Sequence, residues 1–157
     1  MTDAIATDDD RRWMDLAIEL SRKCEPVLGA YSVGAVLVGA DGQEIARGWS
    51  RESDPHVHAE ESALSKVPAD DPRLAVATIY STLEPCSERR SRPRTCTQLI
   101  LATAIPRIVI AWREPSLLVA DCQGFENLTA AGRTVIELHE MAGQARAVNA
   151  HLWPGSM

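Results

Sequence analysis

The sequence predicts an α/β fold, a three-layer α/β/α sandwich with a five-stranded mixed sheet at its centre. Three observations carry this expectation. The chain has 157 residues, enough for one domain with a sizeable core. Its first two strand-like stretches flank Asp41-Gly42, a hairpin signal. After that hairpin, helical and strand patterns alternate singly, as they do in layered α/β domains.

Each element has a local reason. Residues 8–24 read as the first helix, because Trp13, Leu16, Ala17, Leu20 and Cys24 recur at helical spacing. Asp8, Asp9 and Asp10 suit its positive end, and Pro26 and Gly29 stop it. Residues 33–38 (VGAVLV) are apolar and β-branched, a buried strand, and residues 43–49 run back beside it. A polar loop closed by Asp54-Pro55 leads to a helix over 57–67, with His58 in its first turn and Pro68 after it. Residues 75–83 form the third strand. An arginine-rich loop follows, and residues 95–104 resume as helix. Pro106 precedes a fourth strand, 107–112. Residues 114–121 read as irregular, 122–131 as helix, and Gly132 as its cap. The fifth strand covers 134–138, and the last helix 140–152, weakened by Gly143. With no repeat or linker, residues 1–157 are expected to form a single domain, its first eight residues flexible.

Composition excludes several classes. The chain is 45% hydrophobic and 24% charged, ordinary for a globular protein. A net charge of −6 argues against a generally basic, nucleic-acid-binding surface. No apolar run approaches the ~20 residues that span a bilayer, and the polar, acidic opening lacks a signal-peptide core. The four cysteines are then expected to be reduced or metal-bound, in a cytoplasmic protein.

The chemistry-bearing residues lie in two stretches: His58-Ala59-Glu60, and Pro85-Cys86 with Cys96. One imidazole and two thiols fill three corners of a tetrahedral zinc site and leave the fourth open. Zinc at such a site lowers the pKa of a bound water to roughly 7. Glu60, two residues beyond His58, is placed to move protons rather than to bind metal. H-x-E followed by P-C and a second cysteine is the pattern of zinc-dependent base deaminases, here with a longer gap between the thiols. Each half alone has a plainer explanation. H-x-E also suits the start of a surface helix, and free cysteines are commonly buried hydrophobes. The combination, each part following a predicted strand, favours the metal site.

His56 could compete with His58 as a ligand, but a hydrogen-bonded loop histidine is the expected role. Cys24 and Cys122 match no ligand spacing and read as structural; His139 and His151 read as surface residues. The loop 87–95 (SERRSRPRT) sets Arg89, Arg90, Arg92 and Arg94 against Glu88 alone. Arginine grips phosphate or carboxylate through paired hydrogen bonds, so anion binding is favoured over a solvated or salt-bridged loop.

Taken together, residues 33–38, His58-Ala59-Glu60, residues 80–87 (YSTLEPCS) and 107–111 (RIVIA) resemble the deaminase domain of the riboflavin-biosynthesis deaminase/reductase. The wider group is the cytidine deaminase-like superfamily. The resemblance implies His58, Cys86 and Cys96 as Zn2+ ligands, Glu60 as the catalytic proton shuttle, and a homodimer. Nucleoside and tRNA deaminases of that superfamily usually carry two residues between the cysteines, the riboflavin type eight; here there are nine. That favours the riboflavin-type branch over nucleic-acid editing and places Arg92 where the branch has Lys or Arg. The chain departs from the branch at Ala30-Tyr31, Ser50, Glu88 and residues 114–117. Ala59, Ser50, Arg89, Arg92 and Glu114 become the candidate substrate contacts. The chain ends soon after this domain, and no reductase domain is expected.

The expected function is hydrolytic release of ammonia from an aminated pyrimidine-like ring, with the phosphorylated riboflavin-pathway pyrimidine as the leading substrate. A free base, nucleoside or specialised-metabolite ring is the alternative within the same chemistry. A non-catalytic, zinc-stabilised partner subunit is the alternative outside it; a fourth protein ligand sealing the metal would mark that case. Neither nucleic acid nor membrane is an expected partner.

Overall fold

The computed structural model describes residues 5–115 and 122–153. Five strands form one sheet in the order β2-β1-β3-β4-β5: β1 (Gly34–Val38), β2 (Glu44–Trp49), β3 (Thr78–Ser81), β4 (Arg107–Ile110) and β5 (Thr134–Glu137). β1 runs antiparallel to both β2 and β3, whereas β3, β4 and β5 are mutually parallel. The mixed sheet matches the expectation.

Side chains alternate across it with the period of two that strands impose. Val36, Tyr80 and Val109 join one core with Met14, Ile18 and Leu20 of α1 (Asp8–Ser21). Leu37, Ile79 and Ile108 face the other way, towards Ile100 of α3 (Cys96–Leu101) and Leu128 of α4 (Gly124–Ala130). Helix α2 (Ala59–Leu64) lies against β1 and β2. It comes so close to the sheet that a Cβ on Gly48 would sit 2.6 Å from both Ala59 O and Ala63 N. Glycine is the residue that lets the backbones approach this far.

A buried ion pair ties α1 to the middle of the sheet. Arg107 donates to both carboxylate oxygens of Asp10, at 2.7 and 2.6 Å, and the Tyr80 hydroxyl donates to Asp10 Oδ1 at 2.6 Å. Burial raises the Asp10 pKa, but Arg107, Tyr80 and the Thr7 N–H outweigh it and hold the group at about 2.

Element boundaries differ from expectation where local hydrogen bonding intervenes. The flexible start was expected over residues 1–8. Residues 1–4 lie outside the described residues, and Thr7 caps α1, exchanging hydrogen bonds with Asp10. The first helix ends at Ser21, after which Lys23 and Cys24 close tighter turns onto Leu20 O and Ser21 O. His58 stands just before α2 rather than in its first turn. The third strand is shorter than predicted, because Pro72–Val76 forms a 3-10 turn capped by the Asp71 carboxylate. The irregular stretch after β4 lies largely at 116–121, outside the described residues.

The last helix breaks up. A 3-10 turn at His139–Met141 leads into α5 (Ala142–Ala147), and a second turn follows at Ala150–Leu152. Gly143 is not the cause. The break comes at Asn149, whose amide turns inward: it accepts from the Ser32 N–H at 2.6 Å and donates to Ser32 O at 3.1 Å.

Candidate metal centre

Three separate pieces of chain meet beside the C-terminal end of β3, where α/β sheets commonly place ligands. His58 precedes α2, Cys86 lies in the loop after β3, and Cys96 is the first residue of α3. His58 Nδ1 is 3.6 Å from Cys86 Sγ and 3.4 Å from Cys96 Sγ. The three donor atoms all lie within 4.8 Å of one another. Tetrahedral zinc with ordinary Zn–S and Zn–N bonds needs N···S separations of about 3.6 Å, so one ion fits this set. Among the described residues no fourth His, Cys or carboxylate joins the group.

The thiols differ in acidity. Cys86 titrates well below the usual thiol range, because Cys96 donates to its sulfur through both its thiol and its N–H (3.2 Å), with His58 adding to the effect. Cys96 is raised by the neighbouring Cys86 and by burial. A thiolate is the form that binds metal.

Glu60 lies beside this group and is 4% exposed. Burial raises its pKa, partly opposed by His58. The Ser81 hydroxyl is 2.8 Å from Glu60 Oε1 and equally 2.8 Å from Leu83 O. Among the described residues no arginine or lysine forms a salt bridge with Glu60.

A cavity of about 360 Å³ opens over the centre, within the size range of small-molecule sites. His58, Glu60 and Cys86 lie at its wall. Of the predicted substrate contacts, Ala59, Ser50, Arg89 and Glu114 also line it, whereas Arg92 does not. The Ser50 hydroxyl is already engaged, accepting from the Val33 N–H at 2.9 Å. Burial pushes the Glu114 carboxyl up to about 7. His56 lines the cavity but stands apart from the donor group.

The arginine loop resolves into two halves. Arg89 and Arg92 turn back to acids of the preceding segment: Arg89 to Glu61 at 2.7 Å, and Arg92 to Asp54 and Glu61. Arg90 and Arg94 are exposed and form no ion pair among the described residues, and Arg90 lines the cavity.

Several residues of the site escaped sequence reasoning. Glu84, 4% exposed, accepts backbone N–H groups of Glu114 (3.0 Å) and Phe125 (2.7 Å), joining the loop after β3 to the segments that follow β4. It sits within the LEPC run, so a signal was present. Arg51, at a positive φ of 62°, donates to Tyr31 O, Glu25 O and Ser32 Oγ, bracing the cavity wall. Cys122 keeps the structural role expected of it: its thiol lies 3.6 Å from Pro85 O and 3.9 Å from Ser87 Oγ, against the loop that carries Cys86.

Residues 7–112 match the family profile described as the cytidine and deoxycytidylate deaminase zinc-binding region. The chain belongs to this family. Within it, the chain is 40% identical over 127 residues to a diaminohydroxyphosphoribosylamino-pyrimidine deaminase of Schizosaccharomyces pombe, covering 80% of this chain and 31% of that protein. It is 37% identical over 110 residues to a tRNA-specific adenosine deaminase of Haemophilus influenzae, covering 67% and 59%. The chain therefore spans about a third of the first relative and somewhat over half of the second. The fold matches a crystal structure of Aspergillus oryzae Rib2 deaminase, a C-terminal deletion mutant, with a TM-score of 0.80 over 94% of each chain at 22% identity. The family and the donor set agree on Zn2+ as the metal.

Proposed function

We propose that this chain is a hydrolytic deaminase that releases ammonia from an aminated pyrimidine-like ring, with Glu60 as its proton carrier. The observation that carries this reading is the placement of Glu60: a buried carboxyl without a salt-bridge partner among the described residues, at the cavity wall beside three converging metal donors.

Hydrolysis of a ring amine requires a water to give up both its protons in turn, the first to a ring nitrogen and the second to the departing amine. His58, Cys86 and Cys96 would hold the zinc, which when bound would supply an activated water at neutral pH. Glu60 takes up each proton in turn and delivers the first to the ring nitrogen and the second to the departing amine. Ser81 suits both states of that carboxyl. It donates to Glu60 when the carboxylate is charged, and to Leu83 O while accepting from Glu60 when the carboxyl is protonated. Burial raises the Glu60 pKa, which makes the protonated state accessible nearer neutral pH.

The riboflavin-pathway pyrimidine is the leading substrate, supported by the fission-yeast relative and the long inter-cysteine loop. Ala59, Ser50 and Glu114 form the ring-facing wall, with the Glu114 carboxyl available to ring N–H groups. Arg90 is the arginine placed to meet a phosphate. Since Arg89 and Arg92 already face carboxylates, an unphosphorylated base, nucleoside or specialised-metabolite ring is the second reading. The same proposal includes a homodimer, as the riboflavin-type resemblance implies, and a cytoplasmic location. Among the described residues no helix is long and apolar enough to cross a membrane.

The test is ammonia release by zinc-loaded protein across aminopyrimidines and aminopurines, each as base, nucleoside and phosphate. Turnover confined to a phosphorylated pyrimidine supports the first reading. Turnover of unphosphorylated rings supports the second, and no turnover of any ring contradicts both.

A further inference from the structure

Between Cys86 and Cys96 the chain has no apolar side chain except Pro93 to bury until Thr95 caps α3. Hydrophobic packing therefore has little hold on this loop, yet both of its ends carry metal donors. Two of its four arginines, Arg89 and Arg92, supply the hold instead. The Arg89 side chain is only 2% exposed, and arginine is almost never so buried unless it is paired.

Its partner is Glu61, three residues after His58. One carboxylate oxygen of Glu61 accepts from Arg89 at 2.7 Å and from the His58 N–H at 3.2 Å; the other lies 3.3 Å from Arg92 Nε. Arg89 also donates to His56 O at 2.6 Å, and Arg92 to the Asp54 carboxylate, which in turn accepts the His56 N–H at 2.8 Å. A carboxylate three residues into a helix commonly caps the first N–H. That role accounts for the bond to His58, but not for two converging arginines.

We propose that Glu61 and Arg89 form a latch that positions the metal donors, fastening the cysteine-bearing loop to the segment that presents His58 and so setting zinc affinity. The proposal rests on the zinc site and not on any substrate. Glu61 and Arg89 touch no reacting atom; they are positioning residues.

The test measures zinc affinity of the full chain, without substrate, by competition with a chromophoric chelator. Parent, Glu61→Gln, Arg89→Gln and the double variant are compared, with the folding of each metal-free protein followed by circular dichroism. Losing a group that orients a metal ligand typically lowers affinity about 10- to 100-fold, and that loss is expected in each single variant. Because the two residues act as one unit, the double variant should be no weaker than the weaker single. Parental zinc affinity in folded singles, or effects that multiply in the double, overturn the latch. A merely structural pair would lower the metal-free melting temperature and leave zinc affinity unchanged, which also overturns it. If the Gln variants fail to fold, Arg89→Lys gives the milder comparison. It keeps the charge but lacks the fork that reaches both Glu61 and His56 O, so several-fold weaker zinc binding is expected, and parental affinity overturns the proposal. A failure to deaminate any ring would leave this outcome untouched.

Discussion

The Ser81 hydroxyl contacts the Glu60 carboxyl across 2.8 Å, inside a site where both side chains are almost wholly buried. A hydrogen bond to a charged group is worth about 1.5–3 kcal/mol, or roughly 10- to 100-fold in rate if it is made in the transition state. Ser81→Ala should lower kcat by about that factor, with KM little changed, in steady-state kinetics. A change in KM alone would mean that Ser81 shapes binding rather than orienting Glu60.

The Asp10–Arg107 pair makes a prediction about acid stability. The native Asp10 pKa, about 2, lies below the ordinary carboxylate value. The native state therefore holds Asp10 ionised more firmly than the unfolded chain does. Its contribution is fully present above about pH 4 and is lost as pH falls towards 2. Asp10→Ala, which leaves Arg107 buried without this partner, should cost about 3–5 kcal/mol at neutral pH. The same variant should flatten the pH dependence between 4 and 2. Urea unfolding at a series of pH values checks both.

Zinc retention should weaken on acidification, since both thiols and the imidazole must shed protons to bind metal. Equilibrium dialysis against a fixed free zinc concentration should show occupancy falling as pH drops from 7 to 5. Constant occupancy over that range would speak against a ligand set of two thiolates and an imidazole.

The approach of α2 to the sheet leaves no room at Gly48, where added atoms would meet Ala59 O and Ala63 N. Gly48→Val should therefore displace the segment that presents His58 and Glu60. Overpacking of this kind typically costs about 1–3 kcal/mol. A lower melting temperature and weaker zinc binding are expected together; a fully stable variant with parental zinc affinity would contradict the packing described.

Much of this architecture was legible in the sequence because it depends on local signals. Asp41-Gly42 marked the hairpin, the apolar, β-branched run at 33–38 marked the first strand, and the spacing of His58, Cys86 and Cys96 marked the donor set that the fold brings together. What was not legible depends on distant partners. Arg89 and Arg92 are engaged by Glu61 and Asp54, 28 and 38 positions earlier, and no periodicity announces that pairing. The last helix carried a helical pattern through Asn149, yet Asn149 reaches Ser32, 117 positions away, and the helix gives way to that contact. Tertiary hydrogen bonds decided both cases against the local pattern.

The most direct test of the central claim compares the parent with Glu60→Gln, both loaded to the same zinc content, for ammonia release from the best substrate of the ring panel. Glutamine preserves size and hydrogen bonding but cannot carry the proton. General acid–base catalysis typically contributes about 10²- to 10⁴-fold, so the account predicts a loss of at least that order with zinc still bound. Equal rates at equal zinc content would contradict the assignment of Glu60 as the proton carrier.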